Sequence, residues 1–463
     1  MKALKILILN GSPKGAVSVT MQYVEYIKKH FPEHEFESVN VSQLIHRVEK
    51  DEKFFSEIIE SVKRADGVVW AFPLYYMLVP AQYKRFIELV FERGAAKAFS
   101  GKYAVSLTTS IHFFDHTAHA YMNGIIDDLE MRFAGSYSPY MFDLMKGSER
   151  ERLVGFARGF FDAVTGRLSF PRRTAPLAAY KSSYRPGKVT GGIDTGGKRV
   201  LILTDETGTR GSLAGMTGRL AGLFGDSAEK FNINDLDIKG GCLGCIRCGW
   251  DGDCAWSGKD GYIEFFNEKV KGADILLFCG TIRDRYLSAR WKTFIDRSFY
   301  NNHQPLFQGK QVGYVISGPI GSLGFLREIF EAHTELMHAN LVDIVSDEQG
   351  DSRTLDRVLS DFASRLAAAS RAGYTRPRTF LGVGGMKVFR DEIFSHLRFP
   401  FRSDHEYYKK HGMYDFPQKR FKMRAIASVM LLISRIPFMR REIYRNKIKS
   451  GMVAPLKAIV AKH

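Results

Sequence analysis

Cysteine is scarce in this 463-residue chain: five occur, and four of them, Cys242, Cys245, Cys248 and Cys254, share one short segment. That usage excludes a disulfide scaffold, which belongs to small, secreted, cysteine-dense domains, and fits a reducing compartment. Long apolar runs are missing as well. The apolar start, ending at Asn10, is too short for a signal-peptide core and no small-residue cleavage site follows it. It reads as a buried strand, so the expected location is cytoplasmic. Apolar content of 45% and charged content of 25% belong to a globular protein rather than a disordered or membrane-spanning one. The length asks for two or three domains.

Acidic residues are scarce only near the end. Residues 373–463 carry 20 Lys or Arg against 6 Asp or Glu, so most of the net charge of +17 sits in the last fifth of the chain. No nucleic-acid-binding module is recognisable there, and a nucleic-acid partner is not expected. Within this tail Lys419 to Arg424 is basic, Ala425 to Ile433 mostly apolar, and Arg435 to Lys449 basic again. The apolar stretch is too short to span a bilayer, which needs about 20 residues. Two readings stand: a helix packed on the body or across a dimer, and an amphipathic helix peripheral at the inner face of a membrane.

What is present is a repeat. A strand-like run, Leu4 to Leu9, meets Asn10-Gly11-Ser12-Pro13 and then a helical pattern. A second run, Arg199 to Leu203, meets a polar loop from Thr204 to Ser212 and then another helical pattern. A strand, a small Gly-containing loop and a helix N-terminus together present amide N–H groups to a phosphate. Residues 65–102 align without gaps to residues 273–310, sharing Ala65/Ala273, Ala81/Ala289, Lys84/Lys292, Phe86/Phe294 and Gly101/Gly309 among others. Apolar strands alternate with helices in both copies, which predicts parallel sheets covered on both faces. The expected organisation is a domain over 1–170, a linker over 171–197, a second domain over 198–372 and a basic, mainly helical tail over 373–463. From Leu9 to Ala65 is 56 positions and from Leu203 to Ala273 is 70, and the difference corresponds to the cysteine segment. That segment therefore reads as an insertion carrying function.

The cysteine spacing is Cys-x2-Cys-x2-Cys-x5-Cys. Thiolates are soft ligands, and four so close suit a four-iron, four-sulfur cluster (4Fe–4S) or tetrahedral zinc. Free, redox-active thiols are the remaining alternative. Cys279, at a strand end, reads as a small buried hydrophobe. His112, His116 and His119 read as polar loop or helix positions, Asp127, Asp128 and Glu130 as a solvated helix face, and Gly382 to Gly385 as a turn.

Three segments resemble the NAD(P)H-dependent FMN reductase branch of the flavodoxin-like superfamily. Asn10-Gly11-Ser12-Pro13-Lys14 through Ser18 and Thr20 is similar to its phosphate loop. Ala65 to Val69 with Phe72-Pro73-Leu74-Tyr75-Tyr76, Pro80-Ala81 and Lys84 is similar to its flavin-ring loop and helix. Cys242 to Cys248 with Cys254 resembles the cysteine motif of its iron–sulfur flavoproteins. The resemblance implies an α/β fold with two tandem flavodoxin-like doubly wound parallel sheets. It implies one or two FMN, held by Ser12, Lys14, Ser18, Thr20, Pro73, Leu74, Tyr75, Tyr76 and Thr108, and in the second copy by Thr207, Thr209, Arg210 and Ser212. The second copy departs where Thr281-Ile282-Arg283-Asp284-Arg285 replaces Pro73 to Met77. The expected function is a flavin-dependent NAD(P)H oxidoreductase or electron carrier. Its donor would be NAD(P)H or a redox protein, its acceptor a quinone, a redox protein or a small molecule, and its assembly a homodimer. The competing reading is a non-catalytic binding module with a metal knot.

Overall fold

The structure is a computed structural model and describes residues 3–177, 180, 184–208, 211–348 and 350–462. Two compact units emerge, Met1–Glu406 and Tyr407–His463.

The first unit holds two parallel sheets. Strands β1 (Lys5–Asn10), β2 (Glu35–Val39), β3 (Gly67–Pro73), β4 (Tyr103–Thr109) and β5 (Arg132–Tyr137) form the first, in the order β2-β1-β3-β4-β5. Helices α1 (Val19–His30), α2 (Ile45–Lys50), α3 (Glu52–Arg64), α4 (Ala81–Glu92), α5 (Asp115–Asp128) and α6 (Gly147–Thr165) connect and cover them. Strands β6 (Val200–Thr204), β7 (Ala228–Asn232), β8 (Ile275–Thr281), β9 (Gln311–Ser317) and β10 (Asn340–Ser346) form the second, in the order β10-β9-β8-β6-β7. Read from its other edge, that is the strand order of the first sheet. Its helices are α7 (Ser212–Phe224), α8 (Tyr262–Phe265), α9 (Ala289–Arg297), α10 (Gly324–Leu336) and α11 (Ser352–Ala372). The register repeats as well: Asn10 lies beside Ala71, and Thr204 beside Cys279.

These elements follow from local chemistry. The central strands are continuous apolar runs, as strands buried on both faces must be. Ser18 caps α1 by accepting from the Met21 N–H (3.3 Å), Asp351 caps α11, and Gly373 closes α11 in the left-handed region. One face of each sheet is sealed by its first and last helix. Tyr23 and Ile27 of α1 pack with Phe160 and Phe161 of α6 over Ile8 and Val105. Met216 and Leu220 of α7 pack with Phe362 and Leu366 of α11 over Leu277 and Val315.

The other faces meet each other. Helices α4 and α9, equivalent in the repeat, pack together, and so do α5 and α10. The hydrogen bonds across this interface are reciprocal. The Ala81 N–H donates to Asp296 (2.8 Å), and the Ala289 N–H donates to Glu88 (2.7 Å). Each helix thus has its N-terminus capped by a carboxylate from the other. Buried Lys84 bridges Glu88 and Asp284 at 2.8 and 2.9 Å, while Lys292 pairs with Asp296 and donates to the Tyr75 carbonyl (2.9 Å).

After α11 comes α12 (Phe380–Phe394), which contains Gly382 to Gly385. That segment is helix, not the turn expected from its glycines. The glycines serve close packing: a Cβ on Gly385 would lie 2.8 Å from Leu336 and 3.0 Å from Phe113. Asp127 likewise is buried rather than solvated, accepting from the Arg173 and Thr174 N–H groups at 2.9 and 2.7 Å. Helix α13 covers Arg402–Lys410.

The second unit contains α14 (Phe421–Ile433), α15 (Pro437–Glu442) and α16 (Ile448–Val460), none with a buried residue. Among the described residues no helix is long and apolar enough to cross a membrane.

Candidate functional site

The loops at the carboxyl ends of β1, β3 and β4 converge, as the doubly wound topology requires. In the first, Asn10 accepts from the Ser12 N–H (2.9 Å), and Ser12 Oγ accepts from the Lys14 N–H (3.3 Å). Gly11 is obligatory, because a Cβ there would lie 2.6 Å from the Tyr83 ring. In the second, Tyr76 and Met77 adopt left-handed backbone (φ 41° and 63°), a strained turn. Ser298 donates to the Tyr76 hydroxyl (3.0 Å).

These loops border a cavity of about 370 Å³. Lys14, Ser18, Thr20, Pro73, Leu74, Tyr75 and Tyr76 all line it. Ser12 and Thr108 do not. Ser12 is buried inside its own loop, and the residue that faces the cavity is Thr109, whose hydroxyl lies 2.7 Å from that of Thr20. Strand alternation makes a one-residue shift decisive.

The rest of the lining was not legible in the sequence. Phe113, Met141 and Phe142 come from the first half, Phe299 and His303 from beyond α9, and His333 and Met337 from α10 and its end. Met386 and Phe389 of α12, with Leu397 and Phe401 after it, add an apolar wall. His303 Nδ1 lies 2.6 Å from the fully buried Asp404, far away in sequence. Burial pushes His333 down to about 4, so its imidazole is neutral at pH 7. His112, His116 and His119 do not converge: His112 lies beside Asp115, His116 beside Glu328 and His119 beside Ser106.

The cysteine segment forms the next wall. Cys242, Gly244 and Ile246 line the large cavity, and all four cysteines, Cys242, Cys245, Cys248 and Cys254, line a much smaller one behind it. Cys242 belongs to both. The segment is fastened to both halves: Gln82 donates to the Cys242 carbonyl and Asn302 to the Cys248 carbonyl, each at 3.0 Å. Gly244 (φ +63°) brings the chain so close that a Cβ would sit 1.8 Å from the Tyr75 hydroxyl oxygen. Burial pushes the Cys242 and Cys248 thiols up to about 12. No group of three or more His, Cys, Asp or Glu among the described residues is arranged to hold a metal ion. Two buried donors nevertheless stand beside the thiols without a partner among the described residues: the Tyr75 hydroxyl and Nε of Arg297. Arg297 also lines the small cavity, held there by Asp260 (2.7 Å) and the Gly240 carbonyl (3.0 Å). Cys279 is buried within the second core.

The second half is built differently at the matching position. By the register, Asp205 and Glu206 stand where the first half has Gly11 and Ser12. Asp205 accepts from the Ser288 hydroxyl (2.6 Å), and Glu206 pairs with Lys230 (2.5 Å). Thr207 borders a separate cavity of about 560 Å³ with Asp205, Asn234 and Arg283. Ser212 starts α7 and does not line it, while Thr209 and Arg210 lie outside the described residues. Asp284 and Arg285, in place of a flavin-ring loop, clamp the halves together through Lys84 and Asp128 (2.6 Å).

A family model described as flavodoxin-like fold matches residues 4–137. The fold is flavodoxin-like. No curated protein matches the chain. Solved structures similar to about a third of it include the apo form of the NADH:FMN oxidoreductase EmoB. That likeness has 20% identity, covers 34% of this chain and 88% of that one, and has a TM-score of 0.29. FerB, an NAD(P)H:(acceptor) oxidoreductase from Paracoccus denitrificans, shares 14% identity over 35% of this chain and 98% of its own, with a TM-score of 0.29. An FMN-dependent NADH-azoreductase from Bacillus anthracis shares 13% over 35% and 99%, with a TM-score of 0.26.

Proposed function

We propose that the chain is a flavin-dependent NAD(P)H oxidoreductase. It would bind FMN in the cavity of about 370 Å³ that the loops after β1, β3 and β4 border, and an iron–sulfur cluster on Cys242, Cys245, Cys248 and Cys254. The observation that carries this reading is Cys242, which borders both cavities. When bound, FMN would supply hydride acceptance and one-electron release, and a 4Fe–4S cluster would supply a one-electron carrier.

The residues fit the flavin; for the cluster the four cysteines offer the ligand chemistry, but among the described residues they are not arranged to hold a metal ion. Lys14 and the Ser18 and Thr20 hydroxyls offer charge and donors to a phosphate beside the N-terminus of α1. Tyr75 and Tyr76 offer aromatic faces to a flat ring, and Phe113, Phe389, Leu397 and Phe401 keep water from it. Four thiols bordering one small space offer soft sulfur ligands, and because burial pushes Cys242 and Cys248 up to about 12, a cluster would have to displace their protons on binding. The unpartnered Tyr75 hydroxyl and Arg297 Nε are donors that sulfur acceptors would satisfy. Zinc on the same thiols is the alternative occupant. One flavin per chain is the reading favoured here, because Asp205 and Glu206 set carboxylates where the second half would need a phosphate turn.

The two halves are read as a tandem duplication, supported by the shared strand order, register and reciprocal caps. Pairing of α4 with α9 is already satisfied within the chain, so a homodimer would use another face. The donor is a reduced nicotinamide or a redox protein. The apolar wall favours a quinone-like acceptor over a small ionic one.

The test is an absorption spectrum of protein purified without oxygen, with iron and acid-labile sulfide assayed on the same sample. Flavin bands plus a broad shoulder near about 400 nm, the latter lost in Cys245→Ala, are the result expected for the two cofactors. Flavin with zinc, or with no metal, would reduce the reading to a simpler reductase. Protein that stays colourless after reconstitution with FMN, and does not oxidise NAD(P)H, would replace it with the binding-module reading.

A further inference from the structure

The second unit, Tyr407–His463, presents an unusual surface. Of the twenty-nine large hydrophobic side chains exposed among the described residues, seventeen lie between Phe421 and Val460. Ordinary surfaces scatter such residues singly, and a concentration of this kind marks an interaction site. The same unit carries fourteen Lys or Arg against two acids, Asp415 and Glu442.

The two features are interleaved. In α16, Ile448, Met452, Leu456 and Ile459 recur at helical spacing on one side, while Lys449 and Lys457 stand off it. In α14 the run Val429 to Ile433 is apolar all round, with Lys422 and Arg424 a turn or two before it. Between the two helices lie Arg435, Arg440, Arg441, Arg445 and Lys447, with Phe438 and Tyr444 exposed among them. Neither helix is long enough to cross a bilayer.

We propose that this unit docks the chain on the surface of an anionic lipid bilayer. The apolar side chains of α14 and α16 would enter the boundary between headgroups and acyl chains, and the flanking cations would meet anionic headgroups. Charge complementarity selects this occupant. A nucleic acid would satisfy the arginines but leave the aliphatic residues in water, and a second copy of the same unit would bring like charges together. The proposal is independent of the redox reading, since none of its residues lines either cavity. It also gives that reading a setting, because a lipophilic acceptor dissolved in the bilayer would be near at hand.

The experiment is flotation of the full-length protein with vesicles of phosphatidylcholine alone or with about 30% phosphatidylglycerol, at low and high salt. The protein should float with the anionic vesicles, stay behind with the neutral ones, and be released by salt over a range where the Debye length shortens from about 10 Å to about 3 Å. Each basic residue at such a surface is worth about fivefold in partitioning, so Arg440→Gln with Arg441→Gln should weaken binding by about 25-fold. Leu432→Asn should weaken it by at least about tenfold while leaving the charge unchanged. These positions are exposed, and circular dichroism of each variant checks that the chain still folds. Equal partitioning into neutral vesicles would overturn the proposal, as would no partitioning at all. So would a dimer that Leu432→Asn dissociates, or oligonucleotide binding that Leu432→Asn leaves untouched.

Discussion

At the scale of single residues, the contact between Gly244 and Tyr75 decides how close the thiols come to the large cavity. Any side chain at 244 must displace the Tyr75 ring or the cysteine segment and must also adopt a left-handed backbone. Gly244→Ala is expected to cost about 1–3 kcal/mol and to lower the content of both proposed groups. Adding Tyr75→Phe removes the clashing oxygen and should restore part of the loss. Thermal unfolding and metal content of the three proteins measure this, and a double variant no better than Gly244→Ala would refute the close approach. Residue identity was legible in the sequence where chemistry is local: the thiols announce themselves by spacing, and Lys14, Ser18 and Tyr75 by the loops that carry them. It was not legible where a single position of strand alternation matters. Thr108 and Thr109 differ only in which way the pleat turns them, and both are threonine.

Among elements, strands and helices could be read because each obeys a local rule. Buried parallel strands are continuous apolar runs, and β1 and β6 both begin within one residue of the runs expected at Leu4 and Arg199. Helix α12 defeated that rule, since glycines that usually break a helix here let it approach α10. The pairing of α4 with α9 was equally invisible, because a carboxylate that caps a helix some two hundred positions away leaves no periodic trace. Lys84 carries much of this pairing. It is fully buried between Glu88 and Asp284, and burial pushes the Asp284 carboxyl up even against the pull of that lysine. Lys84→Met would leave the buried Asp284 carboxylate without its cation, and Glu88 with Arg85 alone (3.1 Å), and is expected to cost about 3–5 kcal/mol. Urea unfolding of the full chain measures the loss. A change below about 1 kcal/mol would mean that the pair behaves like an exposed one.

For the whole molecule, the two halves share one plan but not one use. The first keeps an anion-friendly turn at the end of its first strand, while the second has acids there and contributes the thiol segment instead. One flavin per chain and about four iron atoms per flavin are the expected stoichiometry. Quantitative flavin and iron analysis of the same preparation tests it, and two flavins per chain would place one in the second half despite its carboxylates. The basic tail was plain in composition, but only its exposure separates a surface that seeks a partner from a helix that already has one.

The reciprocal caps between α4 and α9 carry a consequence for how such a molecule changes over generations. In a pair of identical chains every substitution appears twice, so a change that is useful on one side arrives with its twin on the other. A chain that contains both partners escapes that constraint. Ala81 with Asp296 and Ala289 with Glu88 preserve the pairing, and everything outside it is free to diverge. On the proposed reading one side would serve as a holder and the other as its wall, with the two kept in a fixed one-to-one ratio by the peptide bond.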